Sequence, residues 1–253
     1  MPVHQNPGST LAESFRAVRT NLGFFTRDLR CPVVAVSSTI TSEGKTFVST
    51  NLAAIVSSLG KRVLLIGLDL RKPRIHKILG IDNSMGLSTY LSGGHDFDDV
   101  IQPTSIENLY FAPAGVVPPN PAELIETERM KLFLDQAREH FDYVIIDTPP
   151  VAVVTDALLL AQIVDMYMLV VRQRYTSKNT LELIDELYRN GTLRTLGIVI
   201  NDISMNGYYG YGLRYGYYRG YGYSYGYTYY NQKGYGRYGY KNAAEGYYFK
   251  DEN

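Results

Sequence analysis

Short apolar runs, four to six residues long and rich in β-branched side chains, recur at 33–36, 63–66, 143–146, 166–171 and 196–200, with a further strand-like stretch at 108–112. Runs of that length without polar alternation predict strands buried on both faces. Between them the apolar period lengthens to three and four. Leu11, Phe15, Val18, Leu22 and Phe25 form one stripe over 11–28, with Ser9 or Thr10 placed to cap its start. Phe47, Leu52, Ala53, Ile55 and Val56 repeat the pattern up to Gly60, a residue suited to a helix carboxyl terminus. Residues 74–94 read as short helices punctuated by Gly80, Gly86, Gly93 and Gly94. The stretch 123–140 reads as helix, interrupted near 126–128, and 178–188 is helical again. Prolines confine 115–121 to a loop, and the polar residues 1–8, with two prolines, read as a linker remnant. Strands alternating with helices through short returns predict a three-layer α/β domain. Its central sheet should hold five to seven mainly parallel strands joined by right-handed crossovers.

Composition changes this picture at the carboxyl end. Of the 23 tyrosines, 17 lie at 208–248: Tyr208, Tyr209, Tyr211, Tyr215, Tyr217, Tyr218, Tyr221, Tyr223, Tyr225, Tyr227, Tyr229, Tyr230, Tyr235, Tyr238, Tyr240, Tyr247 and Tyr248. Glycine and small or basic residues separate them, and no aliphatic stripe offsets the entropy of ordering so much glycine. The chain therefore divides into a folded part, 1–207, and a flexible tyrosine cluster, 208–253. Such a tail suits aromatic adhesion, stacking against nucleic acid, or solubility. Solubility is the weakest of these, because tyrosine solvates poorly.

Net charge is zero, yet residues 1–207 hold 19 basic and 22 acidic side chains while 208–253 hold 6 and 3. Neither balance makes a specific nucleic-acid surface. Cys31 stands alone, so no intrachain disulfide forms, and it reads as an inert residue at the edge of the first strand. No apolar run reaches the roughly 20 residues a membrane span needs.

Candidate chemistry gathers where the strand runs end. Residues 33–51, VVAVSSTITSEGKTFVSTN, pass from strand through small polar residues to Gly44-Lys45-Thr46 and then to helix. Loop amides and a helix amino terminus converge on a polyphosphate in such a junction, Lys45 adds positive charge, and the Thr46 hydroxyl suits Mg2+. Thr39 stands where the usual phosphate loop has its first glycine. Two more strands end at Asp69 and Asp147, and carboxylates beside a phosphate loop suit Mg2+. Taken singly, either aspartate is as well read as a cap or turn residue. Arg71 and Lys72 follow Asp69, either solvated or, for Arg71 above all, set against transferred phosphate. His95, Asp96, Asp98 and Asp99 lack a rigid ligand spacing and read as a solvated loop; His4, His76 and His140 have no partners suggested by spacing.

On these motifs the chain resembles the cytoplasmic catalytic domain of bacterial protein-tyrosine kinases of the polysaccharide co-polymerase type, within the deviant-Walker ATPases. The likeness runs through the helix with Glu13, Arg16 and Arg19, the loop at Lys45, the segment Asp69-Leu70-Arg71-Lys72-Pro73, the Pro-Pro-Asn-Pro loop, the strand ending at Asp147 and the tyrosine-rich tail. The resemblance implies ATP and Mg2+ as cofactors. It implies nucleotide contacts from Ser42, Glu43, Gly44, Lys45, Thr46, Phe47, Arg172 and Asn201, metal contacts from Thr46, Asp69 and Asp147, and catalysis by Lys45, Asp69, Asp147 and Arg71. For Asn201 the alternatives are a place against adenine or a turn side chain.

Further implications concern assembly. Glu13, Arg16 and Arg19, which also read as solvated surface charges, become the contact surface of a homo-oligomeric ring in which tails enter neighbouring sites and their phenols accept phosphate. A fused or separate transmembrane co-polymerase part would hold the domain at the inner face of the cell membrane. A cognate tyrosine phosphatase would reset the tails, and the cycle would regulate capsular or extracellular polysaccharide synthesis and export. No specific nucleic acid is implied. One departure stands out: Gly67 occupies the first of two aspartate positions in the family's second motif. The rival readings are a partitioning or positioning ATPase that ignores the tail, and a tyrosine-rich binding scaffold.

Overall fold

A computed structural model describes residues 1–154 and 156–204. The readings made for the tyrosine cluster therefore lie outside the described residues. In chain order the elements are α1 (Pro2–Gln5), α2 (Thr10–Thr26), β1 (Val33–Ser38), α3 (Lys45–Ser57), β2 (Val63–Gly67), α4 (Ile75–Leu79), α5 (Leu87–Leu91), β3 (Gln102–Pro103) and β4 (Leu109–Ala112). There follow α6 (Pro121–Ile125), α7 (Glu128–His140), β5 (Tyr143–Asp147), α8 (Asp156–Leu159), β6 (Met166–Arg172), α9 (Lys178–Arg189) and β7 (Leu196–Asn201).

The strands form one sheet in the order β3-β4-β2-β5-β1-β6-β7. Every pairing is parallel except β3 with β4. Helices cover both faces, which is why the central strands are apolar at every position rather than at alternate ones. Within β1, Val33 and Ala35 join the core shared with α5 and α7, while Val34 and Val36 join the core shared with α2 and α3. The sheet is thus the middle of three layers, as the alternation of strands and helices predicts.

Insertion of β5 between β1 and β2 matters most for the chemistry. Registers Val36↔Asp147 and Gly67↔Asp147 bring the carboxyl ends of these three strands side by side. Ligands of open α/β sheets collect in that crevice.

Three local expectations are corrected. Residues 1–8 are not a linker remnant: Pro2–Gln5 forms a helical turn, Val3 is buried, and its N–H donates to Asn51 Oδ1 at 3.3 Å. Phe25 leaves the buried stripe of α2 and is 51% exposed. Thr26, one turn beyond Leu22, takes the inward position and hydrogen-bonds the Leu22 carbonyl and the Tyr143 hydroxyl. The antiparallel edge strand β3 was missed because it has two residues, one of them proline. Cys31 is buried, its thiol pushed up to about 11 mainly by that burial.

Candidate phosphate-loop site

β1 ends at Ser38 and α3 begins at Lys45, so six residues must reverse the chain. Ser42 (φ 68°) and Gly44 (φ 100°) adopt left-handed backbone to do so. Gly44 is required on space as well, since a β-carbon there would lie 2.1 Å from Asn201 Nδ2. No side chain caps the amino terminus of α3, which leaves its first amides and the positive end of its dipole available to an anion.

Thr39, at the position usually held by glycine, is explained by Glu43. The buried Glu43 carboxylate accepts from Thr39 N at 2.7 Å, Ile40 N at 2.9 Å, the Thr39 hydroxyl and the Thr176 hydroxyl. These bonds satisfy a charge that burial would otherwise penalise heavily. Glu43 therefore braces the loop from within through its side chain. Asn201 donates to the Glu43 carbonyl at 2.9 Å. Arg172 donates to the Ser42 carbonyl at 3.1 Å and pairs with Asp202 at 3.0 Å. Both residues thus reach the loop from the ends of β6 and β7.

Lys45 Nζ lies 3.1 Å from Asp69 Oδ2 and 3.6 Å from Asp147 Oδ2. The Thr46 hydroxyl donates to Asp147 Oδ2 at 2.8 Å. Four residues named from sequence thereby meet at one point. Asp69 also accepts from Lys72 N at 3.0 Å. Asp147 Oδ1 is buried with no partner at hydrogen-bond distance, although the nearby Ser49 hydroxyl also favours the charged carboxylate. An orphaned carboxylate oxygen beside a hydroxyl and a second carboxylate is a hard-oxygen donor set that fits Mg2+.

Arg71 is placed differently: its guanidinium makes two hydrogen bonds, at 2.8 and 3.0 Å, to buried Asp156. That pairing tethers the segment after β2 to the start of α8. Phe47 turns its ring edge-on to Phe15 of α2, 5.9 Å between centroids. Glu13 and Arg16 pair with each other on α2, Arg16 also reaches the Pro7 carbonyl, and Arg19 donates to the Ile55 carbonyl of α3 at 3.2 Å. None of these three contacts the Lys45 cluster. Thr176 and Asp202 carry no sequence signal of these contacts, and Asp156, readable from sequence as the start of a helix, none of its pairing with Arg71. Among the described residues, no group of three or more His, Cys, Asp or Glu is arranged to hold a metal ion.

Burial holds the Asp147 carboxyl above the usual aspartate range, with Lys45 the largest opposing influence. A raised folded-state value means that the unfolded chain loses its proton first. Stability is then greatest below the ordinary aspartate pKa and declines as pH rises through the raised value. Asp147→Asn is therefore expected to raise the thermal midpoint of the nucleotide-free protein at neutral pH and to flatten its pH dependence. Thermal unfolding between pH 4 and 8 checks this; a lower midpoint at every pH would contradict it.

Comparison with known proteins accords with this geometry. Residues 32–191 match the family model described as AAA domain. The tyrosine-protein kinase YwqD of Bacillus subtilis is 34% identical over 81% of this chain and 87% of its own length. This chain belongs to the bacterial tyrosine-kinase family. The tyrosine-protein kinase wzc of Salmonella typhi is 36% identical over 82% of the chain, but the chain spans only 29% of that protein's length, and 28 to 29% of other curated relatives. The kinase domain of Escherichia coli tyrosine kinase ETK superposes with TM-score 0.76 at 32% identity, covering 81% of this chain and 82% of that one. The cell division ATPase MinD of Pyrococcus furiosus, at 23% identity and TM-score 0.59, shares the fold. Among the described residues no helix is long and apolar enough to cross a membrane.

Proposed function

We propose that this chain is an ATP-dependent tyrosine autokinase whose acceptors are the phenols of its own residues 208–253, with residues 1–207 as the kinase domain. The observation that carries this reading is the convergence of Lys45, Thr46, Asp69 and Asp147 at three adjacent strand ends, in a chain that carries 17 tyrosines just beyond the folded part. Loop amides 42–46 and Lys45 hold the ATP phosphates, with Arg172 and Asn201 bracing the loop. Thr46, Asp147 and Asp69 are the oxygen ligands that would hold Mg2+, whose chemistry is to neutralise charge on the phosphates. Asp69 orients the incoming phenol and takes its proton, a task that matters because a free phenol has a pKa near 10. The phenolic oxygen bonds to the γ-phosphorus, the bond to the β–γ bridging oxygen breaks, and ADP leaves.

Each phosphate adds about 1.5 to 2 negative charges, so several convert the basic tail to an acidic one that the strand-end carboxylates repel. On this reading a ring assembled through α2 cycles with tail phosphorylation at the inner face of the membrane, reset by a phosphatase, and regulates polysaccharide synthesis and export. The test mixes a Lys45→Met chain carrying the tail with a tail-deleted chain carrying Lys45, followed by intact mass. Phosphate gained by the Lys45→Met partner is expected, and faster at higher concentration. ATP hydrolysis with no phosphate on either partner would favour a positioning ATPase instead.

A further inference from the structure

Gly67 ends β2 beside Asp147, with which it is in register. Beside it the strand ends border a small, partly open pocket of about 10 Å3, room for about one water molecule. Gly67, Asp69, His76, Phe111, Ala114 and Asp147 are among the residues lining it. Among the described residues three buried side-chain polar atoms lack a hydrogen-bond partner, and two of them, Asp147 Oδ1 and His76 Nδ1, belong to residues lining this cavity. The His76 carbonyl is already engaged by Ile81 N–H at 2.9 Å, so the ring nitrogen is the group left to satisfy. A buried polar atom left unpaired is unfavourable, and a water bonded to both would leave neither unpaired.

We propose that His76 is a positioning residue for the Asp147 carboxylate, acting through a single water held in the pocket beside Gly67. The bridge stands in for a carboxylate at position 67, fixing the face of Asp147 turned away from Thr46. The role rests on the metal-binding reading of Asp147 given above. His76 lies outside the phosphate loop, on α4, and touches neither nucleotide nor reacting atoms in this assignment. A β-carbon at position 67 would meet Ala114 N and the Phe111 ring at 3.5 Å, ordinary contact, so a side chain can start there without displacing either.

Two measurements decide it. A high-resolution crystal structure of the unmodified protein should show one ordered water within hydrogen-bond distance of Asp147 Oδ1 and His76 Nδ1. A dry cavity, or an imidazole turned away, would overturn the bridge whatever any variant does. Calorimetric titration of ADP at graded Mg2+ is the second measurement. His76→Leu should raise the Mg2+ needed for half-maximal binding about tenfold, the lower end of what loss of an outer-shell partner costs. Binding of ADP in EDTA should be unchanged. In a Gly67→Asp background the same change should cost little, because the water is replaced. If His76→Leu lowers only the unfolding midpoint and leaves the Mg2+ requirement alone, His76 is structural and the proposal fails. If the unmodified protein binds ADP without regard to Mg2+, the metal reading of Asp147 fails instead, and the crystallographic water alone decides the bridge.

Discussion

Lys45→Met is expected to lower tyrosine phosphorylation by about 10²- to 10³-fold or more, the scale seen when one group stabilising transition-state charge is removed. Two consequences of the change act together. The cation that would meet the phosphates is lost, and two carboxylates are left without the ammonium that lies 3.1 Å from one and 3.6 Å from the other. Asp147 then loses the largest influence that lowers its pKa. Lys45→Arg keeps the charge but presents a planar fork where a compact point charge fits, and should recover only part of the activity. Phosphate incorporation measured by intact mass, with ADP binding measured in parallel, separates loss of transfer from loss of binding. Near-normal transfer by Lys45→Met would remove this lysine from its proposed place.

Replacing Glu13, Arg16 and Arg19 together with Ala is expected to change assembly far more than stability. Within one chain these residues make a partly exposed pair and two bonds to carbonyls, on Pro7 and Ile55. An exposed pair of this kind contributes about 0 to 1 kcal/mol, so urea unfolding of the variant should move little. In a closed ring the same patch recurs at every interface, and its loss multiplies. The variant should therefore be monomeric by light scattering, and phosphorylation per subunit at micromolar protein should fall on the order of a hundredfold as tethered acceptors are lost. Nucleotide binding should remain. An unchanged oligomer, or a monomer that phosphorylates itself at a rate independent of concentration, would contradict the ring.

The part of this molecule that was legible in its sequence is the part that is local. Strand, loop and helix around Lys45 are written within 19 consecutive residues, and the strands leading to Asp69, two residues past the end of β2, and to Asp147 follow from short apolar runs. The braces were not legible, because their members are far apart. Glu43 meets Thr176 across 133 positions, Arg172 meets Ser42 across 130, and Arg71 meets Asp156 across 85. No period or spacing encodes such pairs. The inward turn of the Glu43 side chain onto Thr39 has no signal in the sequence either. Phe25 misled on hydrophobicity alone, since the helical phase set by Leu22 puts Thr26 inward four positions later. α1 was too short and too polar to show a period, although Val3 anchors it. Gly67 was visible as a departure; the small cavity shared by His76 and Asp147 needed the packing of β2, β4 and α4 to appear.

The most direct test of the kinase reading is to strip the full chain with a tyrosine phosphatase, remove the phosphatase, add Mg-ATP, and follow intact mass with fragment mapping. The account predicts successive phosphate additions, all on tyrosines of 208–248, absent when Lys45→Met replaces the native chain. Steady hydrolysis of ATP with no gain in protein mass, or phosphate confined to residues of the folded part, would contradict it.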